Sequence, residues 1–506
     1  MSTLLSEEDL NDFISPALAC TKPTVINKEP VNVNDKGEYE VSKEPTELEK
    51  VSITLSDCLA CSGCITSSEE IMLSRQSYSV FLNDWKKLND LPADKEDNET
   101  VNNKKKILCV SIAPQCRISL ADNYDMSIEE FDLCFMNFIK NYFQGKYVVG
   151  TQMGRNLTIS RTNDKLIALK KEGKLDERPM LSAICPGFVI YTEKTKPNLV
   201  PLLLNVKSPQ QITGSLLMDS LAEDEQMYHL TLMPCFDKKL EASRPDGENE
   251  VHCVITPKEF VSMLEELEVD FNSYRIQDEN LFYEMSPEGW DPRIHWSSNS
   301  GSSSGGYAYQ YILEMQNLNP GTKILEIPGK NSNVVEYRLI DPNDINRGTI
   351  ASSAELSGFR NIQNMVRNLD RKSIKNNGAK RKIQVLRKRN TSTQMQKLSL
   401  SNNSNAINKP LVADPYKTDY IEVNASPGGC INGGGLINNE QSTVRKRALA
   451  QELSDKYSKS FNLVDPIKMG RMLDETSKSG SRPYEYEFHA VEQDQEKDLV
   501  TVGNTW

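Results

Sequence analysis

The thiols of Cys58, Cys61 and Cys64, spaced C-x2-C-x2-C in the run Asp57-Cys-Leu-Ala-Cys-Ser-Gly-Cys64, constrain this chain more than any other feature. Two intervening residues let adjacent sulfurs point at neighbouring irons, so a short loop of small residues can grip three corners of a cubane iron–sulfur cluster. Zinc is the competing reading. Zinc ribbons and fingers pair two C-x2-C halves or add histidines at a defined distance, and neither partner lies nearby. The fourth thiolate must come from elsewhere. Cys20, on an arm bracketed by Pro16 and Pro23, is the best candidate, with a buried free thiol as its alternative.

The 506 residues are enough for two or three domains with a large core. A net charge of −12 argues against a nucleic-acid-binding protein, which needs a basic face. Eleven cysteines without an apolar leader imply a reducing compartment, and no stretch reaches the roughly 18 apolar residues that span a bilayer. The expectation is a cytoplasmic protein. Four histidines leave little room for a His-rich metal site, so thiolate chemistry is what remains.

Composition divides the chain into segments. Residues 1–89 form an N-terminal iron–sulfur module with its extended arm, and 90–106 form a charged linker. The continuous apolar run Ile107–Ile112 predicts a buried parallel strand, and strand-like runs alternate with helical ones from there on, which is an α/β pattern. A first lobe is expected over 107–290. A second is expected over 291–369 and 411–475, interrupted by a polar, basic insertion at 370–410. A tail, 476–506, ends in Trp506. The Ser/Gly run 299–306 reads either as a linker or as a turn opening a helix beside a ligand.

Three further thiols stand in special surroundings. Cys185 precedes Pro186, as an N-cap residue precedes a proline in the first helical turn. Cys235 ends an apolar run at Met233-Pro234-Cys235, and strand ends are where α/β folds place ligands. Cys430 is embedded in Pro427-Gly-Gly-Cys-Ile-Asn-Gly-Gly-Gly435, where missing side chains let backbone approach a bulky group. Their spacing alone is weak evidence. Cys109, Cys116, Cys134 and Cys253 lie in apolar settings and read as core.

The segments around these three thiols resemble the signature motifs of iron-only hydrogenases. They are Cys-Pro-Gly at 185, Met-Pro-Cys-x-x-Lys-x-x-Glu from Met233 to Glu241, and Gly-Cys-x-x-Gly-Gly-Gly ending at Gly435. Leu10 to Cys20, Ser111-Ile-Ala-Pro-Gln115, Leu232 to Arg244 and Gly358 to Asn364 are more similar still to the eukaryotic hydrogenase-like cytosolic iron–sulfur assembly factors, the narf-like family. The resemblance implies a two-lobed parallel-sheet fold with a small ferredoxin-like cluster module. It implies two 4Fe-4S clusters, one on Cys20, Cys58, Cys61 and Cys64 and one on Cys185, Cys235 and Cys430. It also implies a non-catalytic carrier that works between a cytosolic P-loop NTPase scaffold and a WD-repeat targeting complex, delivering clusters to cytosolic and nuclear apoproteins. A nuclear pool beside the cytoplasmic one belongs to that expectation. The C-terminal Trp506 would be the partner-binding tag, because an aromatic ring beside a terminal carboxylate is a compact recognition element.

Three positions depart from the pattern. Where the family has a further cysteine four residues before Cys430, this chain has Ser426, a harder and far less acidic donor. Cys253 is the alternative donor, and its core setting argues against it. Ile184 replaces the proton-relay cysteine of the hydrogenases, and Leu436 replaces a glutamine. All three weigh against the other reading, a hydrogenase-related redox enzyme. Lys238 matches the lysine beside the hydrogenase metal, with its role here open between an acid partner and cluster sulfide.

Overall fold

The computed structural model describes residues 76–89, 105–247, 249–344, 348–377, 413–438, 443–476 and 484–490. Cys20, Cys58, Cys61, Cys64 and Trp506 lie outside the described residues, as does most of the basic insertion.

The run Ile107–Ile112 is a strand, as its unbroken hydrophobicity requires of a segment covered on both faces. This strand, β1 (Lys105–Ile112), follows helix α1 (Tyr78–Asn89) and leads through α2 (Pro114–Asn123) and α3 (Ile128–Phe143) to β2 (Tyr147–Gly150). Next come α4 (Gln152–Lys171), β3 (Met180–Ser182), α5 (Pro186–Thr195), β4 (Leu203–Leu204) and α6 (Pro209–Asp219). The chain continues through β5 (Glu225–Leu232), α7 (Asp237–Ala242), β6 (Cys253–Ile255) and α8 (Pro257–Glu266). The remaining main elements are α9 (Tyr307–Asn317), β7 (Lys323–Pro328), β8 (Val334–Ile340), β9 (Thr349–Ser357), α10 (Phe359–Asn377), β10 (Tyr420–Asn424), α11 (Thr443–Ser460) and α12 (Pro466–Thr476).

Two sheets result. One is a four-stranded parallel sheet in the order β2-β1-β5-β6, with Ile112 beside Gly150 on one flank and beside Leu232 on the other. The other has six strands in the order β4-β3-β10-β9-β8-β7. Its first four are parallel, while β7, β8 and β9 form an antiparallel meander. The strands within 107–290 are therefore divided between the sheets, because β3 and β4 pair with β10 rather than with β1 or β5. Helix α1, grouped by composition with the N-terminal module, packs into the core of the four-stranded sheet through the buried Phe81 and Trp85. The Phe81 ring lies 5.2 Å from that of Phe143 and 6.0 Å from that of Tyr228. No helix among the described residues is long and apolar enough to cross a membrane.

In both sheets the strand order reverses at one point. In the first, β1 leads leftward to β2 while β5 lies on its right. In the second, β3 leads to β4 while β10 lies on its other side. Loops leaving the carboxyl ends of strands at such a reversal part company and open a crevice. Pro114 follows β1 and Cys235 follows β5; Cys185 follows β3 and Cys430 follows β10. The fold thus delivers all three cysteine loops to reversal points.

The start of α8 supports one wall of this region. Thr256 caps it reciprocally with Glu259: the Glu259 N–H donates to Thr256 Oγ1 at 3.4 Å, and the Thr256 N–H donates to Glu259 Oε2 at 2.9 Å. The next turn meets the glycine loop, where the Lys258 N–H donates to the Gly435 carbonyl at 3.2 Å. Thr256→Ala is expected to cost about 1 kcal/mol, read as a lower urea midpoint with an unchanged slope.

Candidate metal centre

Cys185 is the N-cap residue of α5, with Pro186 in the first turn. Of the backbone groups at this helix start, the Phe188 N–H acts on the thiol and eases its rise. The Ala425 N–H, just past β10, donates to Cys185 Sγ at 3.3 Å, tying the loops that leave β3 and β10. Cys235 follows β5 and precedes α7. Cys430 lies in a glycine-rich loop that turns twice: the Gly429 N–H donates to the Ser426 carbonyl at 3.0 Å and the Gly433 N–H to the Cys430 carbonyl at 3.1 Å.

The glycines of that loop are needed for close approach. A methyl on Gly433 would collide with the Pro234 carbonyl, and one on Gly435 would sit 2.5 Å from a methyl of Thr256. Gly429 has φ +83° and Ser304 beneath it, so a side chain there would meet both strain and a clash. The Gly435 N–H donates to the Pro234 carbonyl at 3.0 Å. The Cys430 loop therefore lies directly on the Cys235 loop.

All three thiols are half-buried, and burial is the main reason each is pushed up. Cys185 rises to about 12, through burial first and then the charges of Asp237 and Cys430. Cys235 rises well above the usual thiol range through burial, Asp237, Cys430 and Cys185, with Lys238 opposing. Cys430 also rises through burial, although a hydrogen bond from Ser304 and the charge of Lys238 pull it down. Thiols from three distant segments thus act on one another electrostatically. Such a set stays protonated on its own and gives up its protons to a bound cationic core.

Among the described residues, no three His, Cys, Asp or Glu side chains converge tightly enough for a single metal ion. A cubane needs a wider set, because each thiolate binds a different iron. Three thiols around a glycine-lined contact of loops fit three such corners. At the fourth position Ser426 is half-buried at the end of β10. Cys253 is not near it. That side chain is fully buried in β6, and its thiol donates to the Ser77 carbonyl at 3.6 Å, toward α1. Cys109, Cys116 and Cys134 are buried as well, and Cys134 donates to the Phe271 carbonyl at 3.2 Å.

Lys238 has an acid partner. Its ammonium donates to both oxygens of Glu241, at 3.0 and 2.8 Å, and to the Ile184 carbonyl at 3.1 Å. Ser208 Oγ donates to the same carboxylate at 2.8 Å. One buried cation thus holds the segment before Cys185 against the helix after Cys235.

Two contributors were not singled out from the sequence. Ser304, in the Ser/Gly run, accepts the Cys430 N–H at 2.9 Å, and its hydroxyl proton is directed at the thiol. The run is a turn opening α9 rather than a linker, with Gly301, Gly305 and Gly306 at φ +114°, +131° and +68°. Asp237, the first residue of α7, faces both Cys185 and Cys235. Its position two residues after Cys235 was the only signal available. A hydrogen bond to a cluster thiolate raises the reduction potential. Ser304→Ala is therefore expected to lower the potential of a cluster bound here by tens of millivolts in a redox titration followed by EPR.

The family described as iron only hydrogenase large subunit, C-terminal domain, matches residues 106–434. Over 517 residues and the full length of both chains, the sequence is 54% identical to the cytosolic Fe-S cluster assembly factor NAR1 of Saccharomyces cerevisiae. It is 50% identical over 509 residues, again full length in both, to its namesake in Kluyveromyces lactis. Among solved structures, an [FeFe]-hydrogenase studied for oxygen inactivation of its H cluster aligns with a TM-score of 0.55 at 19% identity. The alignment covers 81% of this chain and 98% of that one. The apo [FeFe]-hydrogenase HydA1 of Chlamydomonas reinhardtii gives 0.51 at 20% identity, over 80% and 98%. At such identities the likeness speaks for the fold, and it bears out the expected hydrogenase-like α/β architecture.

Proposed function

Because this chain belongs to the cytosolic Fe-S cluster assembly factors built on the iron-only hydrogenase fold, we propose that it is a non-catalytic carrier of 4Fe-4S clusters in that assembly. One cluster is held by Cys20, Cys58, Cys61 and Cys64, and a second by Cys185, Cys235 and Cys430 between the two sheets. The observation that carries the reading is the meeting of these last three thiols at the reversal points of both sheets. A bound cluster supplies a thiolate-exchangeable iron–sulfur core that a recipient's cysteines can take over.

Two features support a carrier rather than a hydrogen-converting enzyme. Isoleucine at 184 cannot pass a proton to the site. Lys238 is occupied by Glu241 and the Ile184 carbonyl, so it is not free to steady a second metal unit as in the hydrogenases this chain resembles. The reading extends to partners: a P-loop NTPase scaffold as donor, apo iron–sulfur proteins as recipients, and a WD-repeat targeting subunit bound through Trp506, with cytoplasmic and nuclear recipients both served.

The test is incorporation of labelled iron in cells depleted of this chain. The expected result is normal labelling of the scaffold with loss of label from cytosolic recipient enzymes, restored by the intact chain but not by one carrying Cys235→Ser. Normal recipient labelling in depleted cells would overturn the carrier reading.

A further inference from the structure

We propose that Asp237 is the fourth ligand of the inner cluster, its carboxylate closing the corner that Ser426 leaves without a thiolate. This rests on the reading that Cys185, Cys235 and Cys430 hold that cluster.

The carboxylate sits where the three ligand-bearing loops meet. Asp237 opens α7 two residues after Cys235. A methyl on Gly187, two residues after Cys185, would lie 2.6 Å from Asp237 Oδ2 and 3.5 Å from Cβ of Ala425, the neighbour of Ser426. The Ala425 N–H is in turn the donor to Cys185 Sγ. The Asp237 carboxylate thus lies against Gly187 of the β3 loop, on the side of Gly187 that faces Ala425, the neighbour of Ser426.

Its surroundings leave it uncommitted. Among the described residues no hydrogen bond or salt bridge engages the Asp237 carboxylate, and the adjacent Lys238 is taken by Glu241 and the Ile184 carbonyl. The charge of Lys238 acts on this half-buried carboxylate without bonding to it, and a carboxylate facing two thiolates is costly to bury when its cation is shared. An iron at the open corner removes that cost.

The donor chemistry points the same way. A metal ligand binds in its deprotonated form. A carboxylate is an established hard oxygen donor to iron, whereas an aliphatic alcohol such as that of Ser426 is a poor one. A carboxylate oxygen donates less electron density to iron than a thiolate does, so an oxygen donor in place of a fourth thiolate also raises the potential.

The experiment uses the full chain, reconstituted anaerobically with iron and sulfide, beside Asp237→Asn, Asp237→Cys, Ser426→Ala and Cys235→Ser. Iron and acid-labile sulfide are counted per chain, and EPR spectra are taken before and after dithionite. Asp237→Asn is expected to lose about one iron and to show a three-iron signal in the oxidised state, as a cubane missing one corner ligand does. Ser426→Ala is expected to keep its iron. Asp237→Cys is expected to keep all four inner irons at a lower potential.

Full iron in Asp237→Asn would overturn the proposal, whether or not Ser426→Ala loses an iron. An unchanged potential in Asp237→Cys would do the same. If circular dichroism shows that Asp237→Asn is unfolded, the Asp237→Cys potential decides. Cys235→Ser separates the two levels: unchanged iron and EPR there would remove the inner site itself, whereas loss there with full iron in Asp237→Asn would sink only the role of Asp237.

Discussion

Lys238→Met is expected to destabilise the protein by about 3–5 kcal/mol, the usual cost of leaving one member of a buried ion pair without its partner. The Lys238 side chain is 12% exposed and that of Glu241 3%, so water cannot replace the lost ammonium. Among the described residues Glu241 would keep Ser208 alone as a donor, and the Ile184 carbonyl would lose its bond to Lys238. The loss has two readouts. Urea unfolding should show a lower midpoint, and Cys185 in the metal-free protein should alkylate faster, because the segment before it is no longer pinned to α7. The double variant Lys238→Met/Glu241→Leu should recover part of the stability, since exchanging a whole buried pair for apolar groups is far less costly than halving it. Equal stability of Lys238→Met and the parent would show that the pair is not buried in solution.

Acidification from pH 7 to 4 is the second large effect, and the two fully buried histidines, with the half-buried His252, make up its destabilising side. Burial holds His229 down to about 4 and His295 down to about 3. Their neutral rings are fully bonded. His295 Nδ1 accepts the Gly150 N–H at 3.3 Å, so its Nε2–H donates to Ser286 Oγ at 2.8 Å, and that hydroxyl donates onward to the Phe282 carbonyl. His229 Nδ1–H donates to the Glu250 carbonyl at 2.6 Å, and its Nε2 accepts from Ser111 at 2.8 Å. The unfolded chain takes up these protons near pH 6.5 and the folded chain does not. Stability is thus intact above about 6.5 and is lost as pH falls toward the folded values.

Each ring contributes a loss of about 3 kcal/mol by pH 4. Glu422 works in the opposite sense. Burial pushes it up to about 7, and it stands opposite Glu355 across β10 and β9. Its stabilisation is full below its ordinary range and fades as pH rises through 7, so acidification works in its favour. Asp132, pushed up to about 6 by burial, and the buried Glu355 work in the same sense as Glu422, and His252, held down to about 4, in the sense of the other two rings. Glu422→Gln should remove its share, so that from pH 7 to 4 the urea midpoint falls more steeply, or rises less, than in the parent. Identical pH dependence of the two midpoints would contradict this assignment.

How much of this was legible in the sequence depended on how far apart the partners are. β1 could be read from Ile107–Ile112 because a covered strand is apolar on both faces, and the helix start at Pro186 because proline suits a first turn. Neither needs knowledge of distant residues. The exchange of β3 and β4 into the sheet of β10 was not legible, because short strands of three and two residues carry no record of their neighbours. Phe81 and Trp85 mark an amphipathic helix, but not the surface that receives it. Within the site, the cysteines stood out through spacing, glycines and family resemblance. Ser304 was hidden in a run whose composition suits a linker equally well. The Lys238 bond to the Ile184 carbonyl joins backbone to side chain across two loops, and such a bond has no sequence signature.

Cys185, Cys235 and Cys430 are proposed to hold a second cluster. Its most direct test is iron and sulfide quantitation with EPR of the dithionite-reduced chain, purified anaerobically, beside Cys235→Ser. About eight irons per chain and two cluster signals are expected, with about half the iron and one signal lost in the variant. Equal iron content and identical spectra in the two proteins would contradict it.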